Sequence, residues 1–122
     1  MPAYIAYSIS QTDAHMVEEL GGVIQKAGMP VEYWHEHQGL TYAFDKVARS
    51  NLYVGVITGA ANVKTVLQLY ENAKRLGIMA MLLVERSVHL PAKTAREPNV
   101  MVFQRYGPVN PIRFVEMKLF RR

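Results

Sequence analysis

The stretch that decides the fold is Leu52-Tyr-Val-Gly-Val-Ile-Thr58, which carries no charged residue. Continuous apolar runs of this kind are typical of strands that are covered on both faces. A second such run, Ile78 to Val84, follows it along the chain. Between the two runs apolar residues recur at helical spacing, with Thr65 as the predicted cap and Gly77 at the end. Two buried strands joined by a helix predict a βαβ unit, in which the strands are parallel.

The same alternation continues towards the amino terminus. Tyr4 to Ser8 and Val31 to His35 are predicted strands, because each is short, rich in β-branched or aromatic residues and bounded by polar ones. A helical pattern between them ends at Gly28, a natural C-terminal cap. A short helix around Ala43 and Phe44 then leads to the central strand.

Towards the carboxyl terminus, Pro91 to Pro98 is predicted to be a loop and Val100 to Phe103 a fifth strand. Asn110-Pro111 predicts the start of a last helix, with asparagine as the cap and proline at the first position. The expected fold class is therefore α/β, a single domain over residues 1–122. We predict a flavodoxin-like, three-layer α/β/α architecture with a central five-stranded parallel sheet.

Composition and charge exclude several kinds of protein. The chain has 122 residues, enough for one hydrophobic core, and no cysteine, which excludes disulfides and thiolate metal sites. Its net charge of +4 is spread along the chain, so nucleic acid is not a predicted partner. We found no signal-peptide pattern and no apolar run long enough to cross a bilayer. The expected protein is cytoplasmic and binds no membrane.

Sheets of this type usually bind ligands at the carboxyl ends of their strands, near the point where the strand order reverses. Four predicted loops lie there: Ser8 to Thr12, His35 to Gly39, Gly59 to Thr65 and Glu85 to Leu90. The first loop has no glycine, so it is neither a dinucleotide-binding glycine turn nor a P-loop. Ser8 and Ser10 would hold a phosphate at the start of the first helix, or would simply cap that helix.

Histidines and aromatic residues offer weaker candidates. His35 and His37 would share one face of a strand, but two ligands are too few for zinc, and we predict no metal. Tyr7, Trp34 and Tyr70 could stack on a base or a nicotinamide ring, although each also suits the hydrophobic core.

Glu71 is the candidate for chemistry. On a helix capped by Thr65 it lies about 100° from Tyr70, at the margin of the buried face. We expect its carboxylate to be partly desolvated and to face the cleft at the carboxyl ends of the strands. The alternative is an exposed glutamate that pairs with Lys74.

The order of these segments resembles that of TIR domains. Tyr4-Ile-Ala-Tyr-Ser8 and the helix that closes at Gly28 are similar to the first strand and helix of that family. Val31-Glu-Tyr-Trp34, followed by Gly39, looks like its second strand and the loop after it.

A second part of the resemblance concerns chemistry. Thr65, Leu67 and Glu71 are spaced like the family's Ser-x-aromatic-x-x-x-Glu signature, whose glutamate is catalytic in NAD-cleaving members. Threonine and leucine here replace the usual serine and aromatic residue.

The resemblance implies an N-glycosidic-bond hydrolase or transferase that cleaves NAD as its substrate and needs no cofactor. Glu71 would be the catalytic residue. The matching spacing adds Thr65 and Leu67 to the predicted substrate-binding residues, beside Tyr7, Ser8, Ser10 and Trp34. Nicotinamide in NAD is already cationic and leaves without a general acid, so one carboxylate is enough to stabilise the oxocarbenium-like state.

Two alternatives remain open at this point. The chain could be a non-enzymatic TIR-like module for protein interaction or nucleotide sensing. It could instead resemble the nucleoside 2-deoxyribosyltransferases, whose neutral substrate needs a second acid, with Glu36 and Asp45 as the nearby candidates. A bare domain carries no attached sensor, so we expect a homo-oligomer or a separate partner to supply regulation, with a small-molecule nucleotide as the ligand.

Overall fold

The computed structural model describes residues 2–8, 14–34, 39–59, 62–104, 107 and 110–120. Over these ranges five strands and five helices alternate along the chain. In order they are β1 (Ala3–Ser8), α1 (Ala14–Lys26), β2 (Val31–Tyr33), α2 (Leu40–Ala48), β3 (Leu52–Ile57), α3 (Val63–Arg75), β4 (Met79–Glu85), α4 (Ala92–Ala95), β5 (Val100–Phe103) and α5 (Pro111–Phe120). None of these helices is long and apolar enough to cross a membrane.

The strands form one sheet in the order β2-β1-β3-β4-β5, and each pairing is parallel. Leu52 of β3 lies opposite Ala3 of β1 on one side and Met79 of β4 on the other. The order reverses between β1 and β3, as in flavodoxin-like sheets. The predicted fold class is therefore confirmed.

Helices cover both faces of the sheet because successive side chains of a strand point to opposite faces. All six residues of β3 are buried. Tyr53 and Ile57 pack in the cluster that includes the buried faces of α2 and α3. Val54 and Val56 pack in the second cluster, with α1 and α5.

Strand β3 and helix α3 are in close contact in the first cluster. The Tyr53 hydroxyl, fully buried, donates a hydrogen bond of 2.7 Å to the carbonyl oxygen of Val66. Gly55 lies beside it, and a Cβ at that position would come within 2.7 Å of side-chain atoms of both Leu82 and Val66. The absence of a side chain at Gly55 thus lets the helix approach the strand closely.

Two predicted boundaries were wrong. Thr65 is not the cap of α3, because Asn62 takes a left-handed conformation (φ 64°) that turns the chain, and the helix begins at Val63. The backbone N–H of Val66 already donates to the carbonyl of Asn62 at 3.0 Å. The predicted loop at 91–98 contains the single-turn helix α4, closed by the hydrogen bond from the Ala95 N–H to the Pro91 carbonyl.

Other predicted features agree with the structure. The fifth strand has the predicted bounds, and the Asn110 side chain caps α5 by accepting a hydrogen bond of 2.9 Å from the Ile112 N–H. Strand β2 ends at Tyr33, and His35 lies outside the described residues.

The close approach at Gly55 yields a prediction for stability. Gly55→Ala should lower the free energy of unfolding by about 1–3 kcal/mol, because the added methyl group overpacks a core whose neighbours are fully buried. Gly22→Ala is the matched control, since a Cβ there meets nothing within 4 Å. We expect that control to raise stability by about 0.5–1 kcal/mol, as alanine favours a helix over glycine. Urea unfolding of both variants measures the difference, and equal effects would contradict the close packing.

Candidate functional site

A groove of about 850 Å³ runs along α3 beside α2. Such a volume falls in the range of about 300–1,000 Å³ that is usual for small-molecule sites. The groove is lined by one residue of α2, Phe44, and seven of α3: Val63, Lys64, Leu67, Gln68, Glu71, Asn72 and Arg75. It begins at the first turn of α3, just after the carboxyl end of β3, and continues along the helix.

The amphipathic pattern of α3 produces this lining. The residues that turn towards the sheet, with Tyr70 among them, are fully buried. Lys64, Gln68, Glu71 and Arg75 follow one another at intervals of three or four residues, so they form a ridge on one side of the helix. The apolar part of the groove comes from Phe44, Val63 and Leu67, which are half-buried and pack against the core.

Glu71 lies on the third turn of α3 and lines the groove. Its side chain is 58% exposed, and one carboxylate oxygen lies 3.3 Å from the Lys74 ammonium. The expectation of a partly desolvated carboxylate was therefore wrong, and the alternative, an exposed glutamate that pairs with Lys74, is what the structure has. The predicted position at the carboxyl ends of the strands was also wrong, because α3 leads back to the start of β4 and Lys74 contacts Glu97, which precedes β5. Because the carboxylate is largely hydrated in the free protein, a bound ligand would have to complete its desolvation.

Lys74 also contacts a second carboxylate, that of Glu97, which precedes β5. The distance from the ammonium to Glu97 Oε1 is 2.7 Å, and the same oxygen accepts a hydrogen bond of 2.7 Å from the Tyr70 hydroxyl. The Lys74 ammonium lies 4.7 Å from the centroid of the Tyr70 ring. These contacts attach the chain between β4 and β5 to α3.

The network changes the acidity of its members. Burial raises the pKa of the Glu97 carboxyl, but hydrogen bonds from Lys74 and Tyr70 outweigh it and the net pKa is lowered. Burial lowers the pKa of Lys74, but hydrogen bonds to Glu97 and Glu71 leave it raised. Burial and the bond to Glu97 both raise the pKa of the Tyr70 hydroxyl.

The other predicted site residues are placed as follows. Tyr7 and Trp34 meet edge to face, with ring centroids 6.2 Å apart and planes at 76°. Trp34 is only 3% exposed, so its ring is part of the core cluster under α2. Its indole N–H has no hydrogen-bond partner among the residues that the structure describes. The structure brings these two rings together, at the ends of β1 and β2.

Four further candidate site residues either are not among the residues that line the groove or lie outside the described residues. Thr65 is half-buried on α3, next to the groove-lining Lys64. Ser8 is the last residue of β1, whereas Ser10 lies outside the described residues. Asp45 pairs with Arg49 at 3.3 Å across one turn of α2.

Of the metal candidates, His35 and His37 lie outside the described residues, as does Glu36. Across the part of the chain that is described, no group of three or more His, Cys, Asp or Glu side chains is placed to hold a metal ion.

Sequence reasoning found Leu67 and Glu71 of the groove but missed its cations. Lys64 and Arg75 share the ridge with Glu71, and their spacing along α3 was a signal that could have identified them. Glu97 gave no local signal, because it is 23 residues from Lys74 along the chain and meets it only in the folded protein.

No protein-family model and no curated protein matches the sequence. Among solved structures, a similar chain occurs in the crystal structure of the RPS4 and RRS1 TIR domain heterodimer. The TM-score is 0.61 at 9% sequence identity, over 98% of this chain and 94% of the other. The chain therefore has a TIR-like fold, as its sequence predicted. A shared fold at this identity does not assign an activity.

The lowered pKa of Glu97 predicts an acid-sensitive contribution to stability. The contribution is present above the unfolded pKa, about 4.3 for glutamate, and is lost as the pH falls through the lower folded value. At pH 7, Glu97→Gln should therefore be less stable than the wild type by about 0.2–1 kcal/mol. The difference should shrink as the pH falls below about 4. Urea unfolding at both pH values measures it, with Glu116→Gln on α5 as the control, and a difference that persists in acid would contradict the prediction.

Proposed function

We propose that the groove between α2 and α3 binds a nucleotide and that Glu71 cleaves the N-glycosidic bond of NAD there. The observation that carries the proposal is the placement of Glu71 on the wall of a ligand-sized groove, between two cations and beside an apolar surface. The spacing of Thr65, Leu67 and Glu71 and the TIR-like fold add support.

The charges of the groove suit a dinucleotide. Lys64 offers a cation to a pyrophosphate, and Phe44 and Leu67 offer an apolar surface to a base or a nicotinamide ring. Lys64 lies seven residues before Glu71, which is about 10 Å along the helix axis. A phosphate near Lys64 would thus leave room for one ribose before the bond to be cleaved reaches Glu71.

The chemistry needs one carboxylate. As the bond between C1′ and the nicotinamide nitrogen breaks, nicotinamide leaves as a neutral molecule with the bonding electrons, and positive charge develops on the ribose. The Glu71 carboxylate stabilises that charge. Water then adds at C1′ and releases a proton, which gives ADP-ribose. A nucleoside with a neutral base would need a second acid, and the described lining residues include only one carboxylate, that of Glu71.

A non-enzymatic assembly module is the second candidate. The similar solved chain belongs to a heterodimer of TIR domains, and α5 of this chain exposes two large apolar side chains, Met117 (60%) and Phe120 (48%). Sedimentation of the purified protein at several concentrations tests this candidate. Reversible association together with an absence of NAD cleavage would favour it over the enzyme.

The catalytic role predicts the effect of one substitution. Purified wild-type protein at high concentration should release nicotinamide from NAD, and Glu71→Gln should reduce kcat by about 100-fold or more because the transition-state charge loses its counterion. Glu19→Gln on α1, on the opposite face of the sheet, is the matched control and should retain wild-type activity. Nicotinamide release is followed by chromatography. An active Glu71→Gln variant would remove Glu71 from the mechanism.

The nucleotide site predicts a separate effect on binding. Lys64→Ala should raise the KM for NAD about fivefold while kcat changes little, since a partly exposed phosphate contact contributes about 1 kcal/mol. The effect should weaken at high salt, which screens the charge. Lys26→Ala on α1 is the control of equal charge. If both variants bind NAD as the wild type does, the phosphate does not lie near Lys64.

A further inference from the structure

Lys74 is shared unequally between two carboxylates. Its ammonium lies 2.7 Å from Glu97 Oε1 and 3.3 Å from Glu71 Oε1. The Tyr70 hydroxyl donates to the same oxygen of Glu97, and the ammonium also lies over the Tyr70 ring. Glu97 and Tyr70 together therefore hold the cation, and Glu71 receives only the longer contact.

Burial strengthens this inequality. The Glu97 side chain is 25% exposed, whereas that of Glu71 is 58% exposed. Water and salt screen the contact to Glu71 more than the contact to Glu97, and short charge-assisted hydrogen bonds are the stronger ones. The preferred partner of Lys74 is thus Glu97.

We propose that Glu97 is a positioning residue that retains Lys74 and so leaves the Glu71 carboxylate available to a cationic substrate. This inference rests on the function proposed above. A carboxylate that is fully paired with an ammonium stabilises a developing positive charge less well, because the two charges largely cancel. Glu97 weakens that pairing, because it holds the ammonium closer to itself than to Glu71. It also keeps Lys74 paired when Glu71 turns to the substrate, so that no cation is left without a partner.

A double-mutant cycle tests this role. In Glu97→Gln the ammonium has Glu71 as its remaining carboxylate, so kcat/KM for NAD should fall about threefold to fivefold, the size that a partly exposed ion pair can cause. In a Lys74→Met background the same Glu97→Gln change should have no effect, because the cation that it releases is absent. The double variant should therefore recover the activity that Glu97→Gln loses. A residue that only supports the fold would not give this recovery.

The possible outcomes distinguish a failure of this inference from a failure of the proposed function. An active wild type whose kcat/KM is unchanged by Glu97→Gln overturns the inference and leaves the NAD-cleaving function standing. A loss that is equal in both backgrounds does the same, since it would be structural. A wild type that releases no nicotinamide, assayed beside Glu71→Gln, overturns the proposed function and the positioning role of Glu97 with it.

A crystal structure of Glu97→Gln tests the geometry on which the inference rests. It depends neither on an activity measurement nor on the folding of the double variant. We expect the distance between the Lys74 ammonium and the Glu71 carboxylate to shorten from 3.3 Å to about 2.7–2.9 Å, the length of a strong charge-assisted hydrogen bond. A distance that stays the same would show that Glu97 does not withhold the cation, and would overturn the inference.

Discussion

Burial of β3 on both faces is the constraint on which the rest of the structure depends. Its six residues are all buried, so other parts of the chain must supply both neighbouring strands and a helical layer above and below. Parallel neighbours require crossovers, and helices supply them while covering the sheet. The hydrogen bond from the Tyr53 hydroxyl to the Val66 carbonyl then fixes α3 against the strand. The position of α3 in turn determines where the groove lies.

Helix α3 joins the core to the site through one residue. The ring of Tyr70 fills the core, while its hydroxyl reaches Glu97 and its face supports the Lys74 ammonium. A residue that sequence patterns assign to packing thereby also orders the charges next to Glu71. The packing of the core and the geometry of the candidate site are therefore coupled, since one turn of α3 presents the Tyr70 ring to the core and the Glu71 carboxylate to the groove.

The sequence predicted the fold well because the fold depends on periodicity. Continuous apolar runs at β3 and β4 and helical spacing between them are local features, and they led to the five-stranded parallel sheet. The start of α3 was missed because it depends on the left-handed conformation of Asn62, which hydrophobic spacing does not show. The turn at α4 was missed because a single helical turn is too short for a periodic signal.

The site was less predictable, since it depends on contacts between distant residues. The groove forms because Phe44 of α2 lies beside α3 in the folded protein. The network forms because Glu97, which follows β4 along the chain, contacts Lys74 of α3. The placement of Trp34 also depends on contacts between residues that are distant along the chain. Its sequence position allowed either ring stacking or a place in the core, and parallel pairing of β2 with β1 places its ring in the core beside Tyr7.

The strand order has a further consequence for the behaviour of the protein at high concentration. It places β2 and β5 at the two margins of the sheet, and these strands have only three and four residues. Strands this short offer few backbone groups to an incoming strand, a common protection against edge-to-edge aggregation. Strand addition from another copy would therefore gain few hydrogen bonds, and the faces of the helices present the larger surface for contact between molecules.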